Sequence, residues 1–236
     1  MVFQDSLSSL NPAMSIGTQI ARVLRHHTRL PRRARWRRAV ELLAAVGIPE
    51  PAKRATHYPH QLSGGMRQRA LIAMAISCNP KLLILDEPTT ALDVTIEAQI
   101  FELIGELKGK FGMSVFLITH DLSVVASFCE RVIIMYAGKI VEEADVYELY
   151  AHPLHPYTRG LLRSIPPLEG GETRLRSIPG EVPDLINLPP GCNFSPRCAL
   201  ADERCWRVEP ELLEAVPGHR VACLKVGDPA AGGAHG

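Results

Sequence analysis

Several short stretches of this 236-residue chain carry side chains whose types and spacing can do chemistry on a phosphate. The first is Leu62-Ser63-Gly64-Gly65-Met66-Arg67-Gln68-Arg69. Two glycines directly before a helix let the backbone approach a ligand closely, and a helix N-terminus offers unpaired N–H groups and a favourable dipole to an anion. Ser63 adds a hydroxyl. By itself Ser-Gly-Gly reads equally as a turn and N-cap. The second stretch is Leu82-Leu83-Ile84-Leu85-Asp86-Glu87-Pro88, an apolar strand that delivers two consecutive acids at its C-terminal end, where ligands sit in open α/β sheets. Asp86 suits Mg²⁺ held through water, because a hard cation prefers carboxylate and water oxygens. Glu87 suits polarisation of the water that attacks a γ-phosphate. His120 follows the next apolar strand and can reach a γ-phosphate from another strand terminus.

These residues need elements to place them. Helical spacing at Ile20, Val23 and Leu24, and again at Trp36, Val40 and Leu43, predicts two helices, the second ended by Gly47 and Pro49. A helix from about Met66 to Cys78 is stopped by Asn79-Pro80. Lys81 to Asp86 then reads as a strand buried on both faces, Val94 to Lys110 as a helix with a stripe at Ile96, Ile100, Leu103, Ile104 and Leu107, and Ser114 to Thr119 as a second strand. Strand, helix, strand at this spacing is a βαβ crossover. Arg131 to Tyr136 and Lys139 to Glu143 flank Ala137-Gly138 as a β-hairpin. After Tyr150 regular periodicity fades, and the segment holds most of the 19 prolines and four of the six cysteines.

Composition narrows the class. With 26 Lys and Arg against 25 Asp and Glu, the net charge of +1 argues against a uniformly basic nucleic-acid binder. A basic segment does stand out: Arg25, Arg29, Arg32, Arg33, Arg35, Arg37 and Arg38. It reads as a solvated face and connecting loop, because no aromatic ladder accompanies it, with a phosphate-binding patch as the alternative. No apolar run approaches the roughly 18 residues that span a bilayer, and no secretory signal is visible, so a cytoplasmic protein is expected.

In order and spacing, the motifs resemble those of the ATP-binding subunits of ABC transporters: Gln4 of the Q-loop, Leu62 to Arg69 as signature, Leu82 to Glu87 as Walker B with the catalytic acid, Ala91-Leu92-Asp93 as D-loop and His120 as switch histidine. The resemblance implies a P-loop NTPase-type α/β fold, an ABC nucleotide-binding domain with a helical subdomain, over residues 1–150. It implies catalytic Glu87, His120 and Gln4, Mg²⁺ associated with Asp86 and Gln4, a D-loop Asp93, and Ser63, Gly64, Gly65 and Gln68 facing nucleotide held by a partner. Val2-Phe3-Gln4-Asp5, Tyr58-Pro59-His60-Gln61 and His155-Pro156-Tyr157-Thr158-Arg159 are similar to the oligopeptide/dipeptide importer branch, whose loop-rich C-terminal extension corresponds to residues 151–228, with a disordered tail at 229–236. ATP and Mg²⁺ are the implied cofactors. A second ATP-binding subunit (the same chain or a different one) and membrane permease subunits are the implied partners, with no nucleic acid, at the cytoplasmic face of the plasma membrane. Relatives handle nickel or glutathione. A soluble DNA-maintenance ATPase of the same superfamily is the alternative, as is a non-catalytic remnant contributing only a signature or a metal cluster.

Cys192, Cys198, Cys205 and Cys223 lack the C-x₂-C knuckle, and their spacing leaves zinc, an iron–sulfur cluster and free thiols open. The resemblance points to a [4Fe–4S] cluster. Cys78 and Cys129 read as small buried apolar residues. No G-x-x-x-x-G-K-[ST] occurs in these residues, so the phosphate-binding loop that precedes the Q-loop in the family is missing. On this reading the frame is N-terminally truncated or started late, and the isolated chain is inactive.

Overall fold

The computed structural model describes residues 1–4, 9–90, 92–164 and 177–226, and packing divides the chain into two compact units, Met1–His120 and Asp121–Gly236. Ala91 of the D-loop and the tail at 229–236 lie outside the described residues. No helix among the described residues is long and apolar enough to cross a membrane.

The first unit opens with helices α1 (Ile16–His27), α2 (Arg32–Ala45), the single turn α3 (Pro51–Arg54) and α4 (Gly64–Ile76). Ile16, Ile20 and Leu24, each one turn apart, bury one side of α1 against Ala39, Leu42 and Leu43 of α2. The start of α1 has no side-chain cap. Its orphan N–H groups are satisfied at long range instead: Ile16 N donates to His57 O at 2.9 Å and Gly17 N to Ala55 O at 2.8 Å. That approach explains Gly17, where a Cβ would lie 2.9 Å from the Ala55 carbonyl oxygen and 2.9 Å from the Trp36 ring. α2 ends as its sequence predicts, with Gly47 in the left-handed region at φ 71°. Arg69, reaching from α4, donates to the Val46 carbonyl at 2.8 Å and so ties the two helices together.

Strand β1 (Leu82–Asp86), helix α5 (Val94–Phe111) and strand β2 (Ser114–Ile118) form the crossover, with β1 and β2 parallel and Asp86 opposite Ile118. Val2 adds to the other edge of β1: Val2 N donates to Ile84 O at 2.8 Å and Asp86 N to Val2 O at 2.9 Å. The expectation that β1 is buried on both faces is corrected. Leu83 and Leu85 are buried, whereas Leu82 is 51% exposed, and on the same face of β2 Phe116 is 49% and Ile118 42% exposed. The strand pair has a period of two, and among the described residues one face only is covered. Cys78 is likewise exposed rather than buried, because α4 ends at Ile76 and Asn79 takes φ 49°, turning the chain outward. Cys129 is half-buried.

The second unit starts with α6 (Leu122–Phe128), then β3 (Arg131–Tyr136) and β4 (Lys139–Asp145) joined at Ala137-Gly138, both with positive φ as a tight primed turn requires. α7 (Val146–Ala151), α8 (Pro156–Arg163), α9 (Glu203–Arg207) and the strands β5 (Leu213–Val216) and β6 (His219–Val221) follow. The four strands make one antiparallel sheet in the order β3-β4-β6-β5. Val132, Ile134, Tyr136, Val141, Leu149 and Phe194 are its core. At its centre the wholly buried Glu142 carboxylate accepts hydrogen bonds from Leu154 N at 2.6 Å and His155 N at 3.0 Å, and meets His219 Nε2 at 2.7 Å. His155 is itself buried; burial holds its pKa down at about 4, and its neutral Nδ1 accepts from Tyr157 N at 3.0 Å.

Candidate functional site

Three parallel backbone segments end together in the first unit, and that coincidence assembles the site. Val2 bridges to Leu85, so Gln4 lies just past the end of β1. Asp86 pairs with Ile118, and Glu87 N donates to Ile118 O at 2.9 Å, so Glu87 and His120 leave adjacent strand ends. Glu87 takes φ 41°, a left-handed conformation costly for a residue with a Cβ and held here by its neighbours. Its carboxylate accepts from Gln4 Nε2 at 2.7 Å and from Thr90 Oγ1 at 3.0 Å, and faces His120 Nδ1 at 3.2 Å. The hydrogen bond to His120, then that to Thr90, hold the Glu87 pKa below its ordinary value of 4.5, with the charge of His120 and the Gln4 amide adding to the effect. The group is thus an ionised acceptor at neutral pH, with two of its partners on the expected list. Thr90 was not singled out by sequence reasoning; its signal is a hydroxyl three residues beyond the acid, in reach of a side chain that the turn folds back.

Asp86 is half-buried at the same strand end, and its side chain has no hydrogen-bond or ion-pair partner among the described residues. An oxygen donor left uncommitted beside a strand terminus fits a water-coordinated Mg²⁺, which needs few protein ligands.

The signature residues sit at the start of α4. Ser63 is its N-cap and accepts from Met66 N at 3.3 Å. A Cβ on Gly65 would lie 2.9 Å from Ile96 Cγ2, and one on Gly64 3.4 Å from Leu92 Cδ2. The glycines therefore let the start of α4 press against the start of α5, where Asp93 caps the helix by accepting from Ile96 N at 3.0 Å. Gln68 is buried, and its Nε2 has no hydrogen-bond partner among the described residues. The structure thus brings Gln4, Glu87 and His120 into direct contact, and groups Ser63, Gly64, Gly65 and Asp93 at a second place where α4 meets α5.

The four C-terminal cysteines are all free thiols. Burial pushes the pKa of Cys192, Cys198 and Cys223 up, and each is raised further by neighbouring cysteines of the set, so they share one neighbourhood. In number and kind the donors suit a [4Fe–4S] cluster, but among the described residues no three His, Cys, Asp or Glu side chains form a group that holds a metal. A backbone bond joins two of the set directly: Cys192 N donates to Cys205 O at 2.8 Å, with Gly191 pressed against the same carbonyl. As placed, the cysteines do not fit a resident metal, and the expectation of a cluster is not met by this geometry.

Parallel strands joined by a helix, with an acid pair at one strand end and a histidine at the next, define a nucleotide-binding domain of the ABC type. The fold is shared with the dimeric, ADP- and Pi-bound post-hydrolysis structure of the ATP-binding cassette MJ0796 (33% identity, TM-score 0.54, 61% of each chain) and with cbiO1 of Clostridium perfringens (29% identity, TM-score 0.56, 64% of this chain and 58% of that one). The ABC transporter family matches residues 1–90, and the family described as oligopeptide/dipeptide transporter, C-terminal region, matches residues 141–205. The oligopeptide transport ATP-binding protein AppD of Bacillus subtilis is 53% identical over 95% of this chain and 68% of its own length, and the dipeptide transport ATP-binding protein DppD of Haemophilus influenzae 54% identical over 94% and 67%. The chain belongs to the ATP-binding subunit family of ABC transporters, in its oligopeptide/dipeptide branch, and spans about two thirds of the length of these relatives. The match of the C-terminal region sets the DNA-maintenance alternative aside.

Proposed function

We propose that this chain is an ATP-binding subunit that energises peptide import, working with a second ATP-binding subunit and membrane permease subunits at the cytoplasmic face of the membrane. The observation that carries the chemistry is the convergence of Gln4, Thr90 and His120 on one ionised carboxylate at the end of β1. Glu87 orients and polarises the attacking water, accepting its proton as the new P–O bond forms to the γ-phosphorus. The bond from that phosphorus to the β–γ bridging oxygen breaks, with ADP as the leaving group and phosphate as the second product. The His120 side chain is 79% exposed and Gln4 is exposed, so both side chains can leave Glu87 for a γ-phosphate and report its presence. Bound Mg²⁺ neutralises charge on the phosphates; Asp86, with Gln4, would hold it through water. Ser63, Gly64 and Gly65, at the start of a helix, supply N–H and hydroxyl donors to nucleotide on the facing subunit.

None of the 236 residues forms a G-x-x-x-x-G-K-[ST] loop. The polypeptide by itself therefore lacks the backbone cradle for the phosphates, and MgATP binds it weakly, with Kd above about 1 mM. At the site closed over by Ser63, Gly64 and Gly65 of this chain, the nucleotide is the one held by the facing subunit. Calorimetry of the isolated polypeptide tests the first statement, and micromolar MgATP binding would overturn it. Peptide-stimulated ATP hydrolysis after assembly with a complete ATP-binding subunit and the permease tests the reading as a whole; turnover unchanged by adding this chain would contradict it.

A further inference from the structure

Four of the arginines in the basic segment are exposed or half-buried on a common open volume, joined there by Arg22. Arg22 and Arg25 of α1 and Arg32, Arg33 and Arg35 of α2 line one open cleft of about 1120 Å³, with the ring of Trp36 as its wall. Two neighbouring arginines show what an ordinary surface solution looks like: Arg37 and Arg38 both reach Glu41, at 3.7 and 3.5 Å. The five in the cleft have no ion-pair partner among the described residues, and no acid lines the cleft with them.

Arg25 is explained by its position, since a cation in the last turn of α1 suits the negative end of the helix. Arg32, Arg33 and Arg35 are not. They belong to the first turns of α2, where there is no acid and no side-chain cap, so three cationic residues crowd the positive end of the helix dipole with its orphan N–H groups. Such an arrangement is unfavourable without an anion and favourable with one. Guanidinium forks match the paired oxygens of phosphate groups, and several of them around one volume suit a ligand with more than one such group. Trp36 is 37% exposed, yet its ring edge is packed so tightly on Gly17 that a Cβ there would lie 2.9 Å away. It is therefore a fixed apolar wall against which the organic body of a ligand can lie.

We propose that this cleft binds a ligand carrying two or more phosphate groups, at a site separate from the Glu87 cluster. The shared chemistry is multiple phosphate oxyanions, whether on a soluble compound or on lipid headgroups. The site does not depend on the hydrolysis reading, since none of its residues serves that chemistry.

The test uses the full chain with EDTA present, so that Mg²⁺-dependent binding at Asp86 is silent. One arm titrates inorganic pyrophosphate at low salt by tryptophan fluorescence and calorimetry. The other measures sedimentation with phosphatidylcholine vesicles containing or lacking anionic phosphatidylglycerol. The double substitution Arg32→Gln/Arg33→Gln is compared with Arg37→Gln/Arg38→Gln, which removes the same charge outside the cleft. The expected result is pyrophosphate binding weakened about tenfold or more by the first pair and changed less than about twofold by the second. Vesicle binding without pyrophosphate binding, lost in the first pair alone, assigns the same site to lipid headgroups. Equal losses in both pairs would reduce the effect to a general positive field and overturn the site, as would failure to bind either probe. Circular dichroism confirms that α2 persists in both variants; removing guanidiniums from the start of the helix is expected to leave it at least as stable.

Discussion

Glu87 and Glu142 have similar partners and opposite surroundings. Each carboxylate meets a histidine and accepts further hydrogen bonds. Glu142 is wholly buried, and two of its donors are backbone N–H groups of Leu154 and His155, which cannot move without unfolding the α7–α8 connection. Its histidine, His219, is buried as well and comes from β6, so the pair staples the last strand onto β4. Glu87 has 26% of its side chain exposed, and its donors are the ends of the Gln4, Thr90 and His120 side chains, each able to rotate away. A carboxylate held by the backbone is a fixture. One held by side chains is an acceptor that can be handed to a substrate. Burial and donor type, rather than the presence of a Glu–His pair, separate structure from chemistry here.

The largest effect that could break this contrast is on stability. Glu142→Ala leaves His219 and two buried N–H groups without an acceptor and is expected to cost the second unit about 3–5 kcal/mol. Glu87→Ala removes only exposed contacts and should stay within about 0.5 kcal/mol. Denaturant unfolding followed in each unit measures both, and equal costs would erase the distinction. Next comes pH. His155 has its pKa lowered to about 4 from the ordinary 6.5, so the unfolded chain takes up its proton first. The stability this gives is complete above pH 6.5 and is lost as pH falls towards 4, amounting to roughly 3 kcal/mol. His155→Asn, keeping a side-chain acceptor for Tyr157 N, should flatten the loss across that window in thermal melts.

A smaller effect concerns the packing of α4 on α5. Gly65→Ala places a methyl 2.9 Å from Ile96 Cγ2 and should destabilise the first unit by about 1–3 kcal/mol, with Ile96→Ala restoring part of it. The smallest is a titration shift. The Glu87 carboxyl resonance should titrate below 4.5, and His120→Ala should return it upward more than Thr90→Ala does, because His120 is the larger cause. The reverse order would mean that the histidine is not the main partner. The favourable contribution of these contacts is present above pH 4.5 and disappears as pH falls through the lowered value.

Local patterns made much of the first unit legible in the sequence. Ile100, Leu103, Ile104 and Leu107 mark α5 by their spacing and are buried, and the Asn79-Pro80 stop falls where its residue types require, as does the Ala137-Gly138 turn in the second unit. Part of the candidate site's geometry was legible in the same way, since Glu87 and His120 each lie just past a strand end. What escaped is non-local. The Glu142–His219 contact spans 77 residues and rests on β6, a strand of three residues that pairs with β4 across the apparent boundary at Tyr150. The cap of α1 comes from carbonyls of His57 and Ala55 on another element. The exposed face of β1 was invisible, because an apolar run reads the same whether one layer or two cover it. The convergence of the arginines in one cleft depends on how α1 packs on α2, which their charge alone does not disclose.

The central claim is that the start of α4 completes a nucleotide site on a facing subunit. The direct test is ATP hydrolysis by a complete ATP-binding partner mixed with this chain, carrying either native Ser63 or Ser63→Arg. The account predicts that the native chain stimulates hydrolysis and that Ser63→Arg removes the stimulation by at least about tenfold, since an arginine there takes away both the hydroxyl and the space at the helix start. Equal stimulation by the two chains would contradict it.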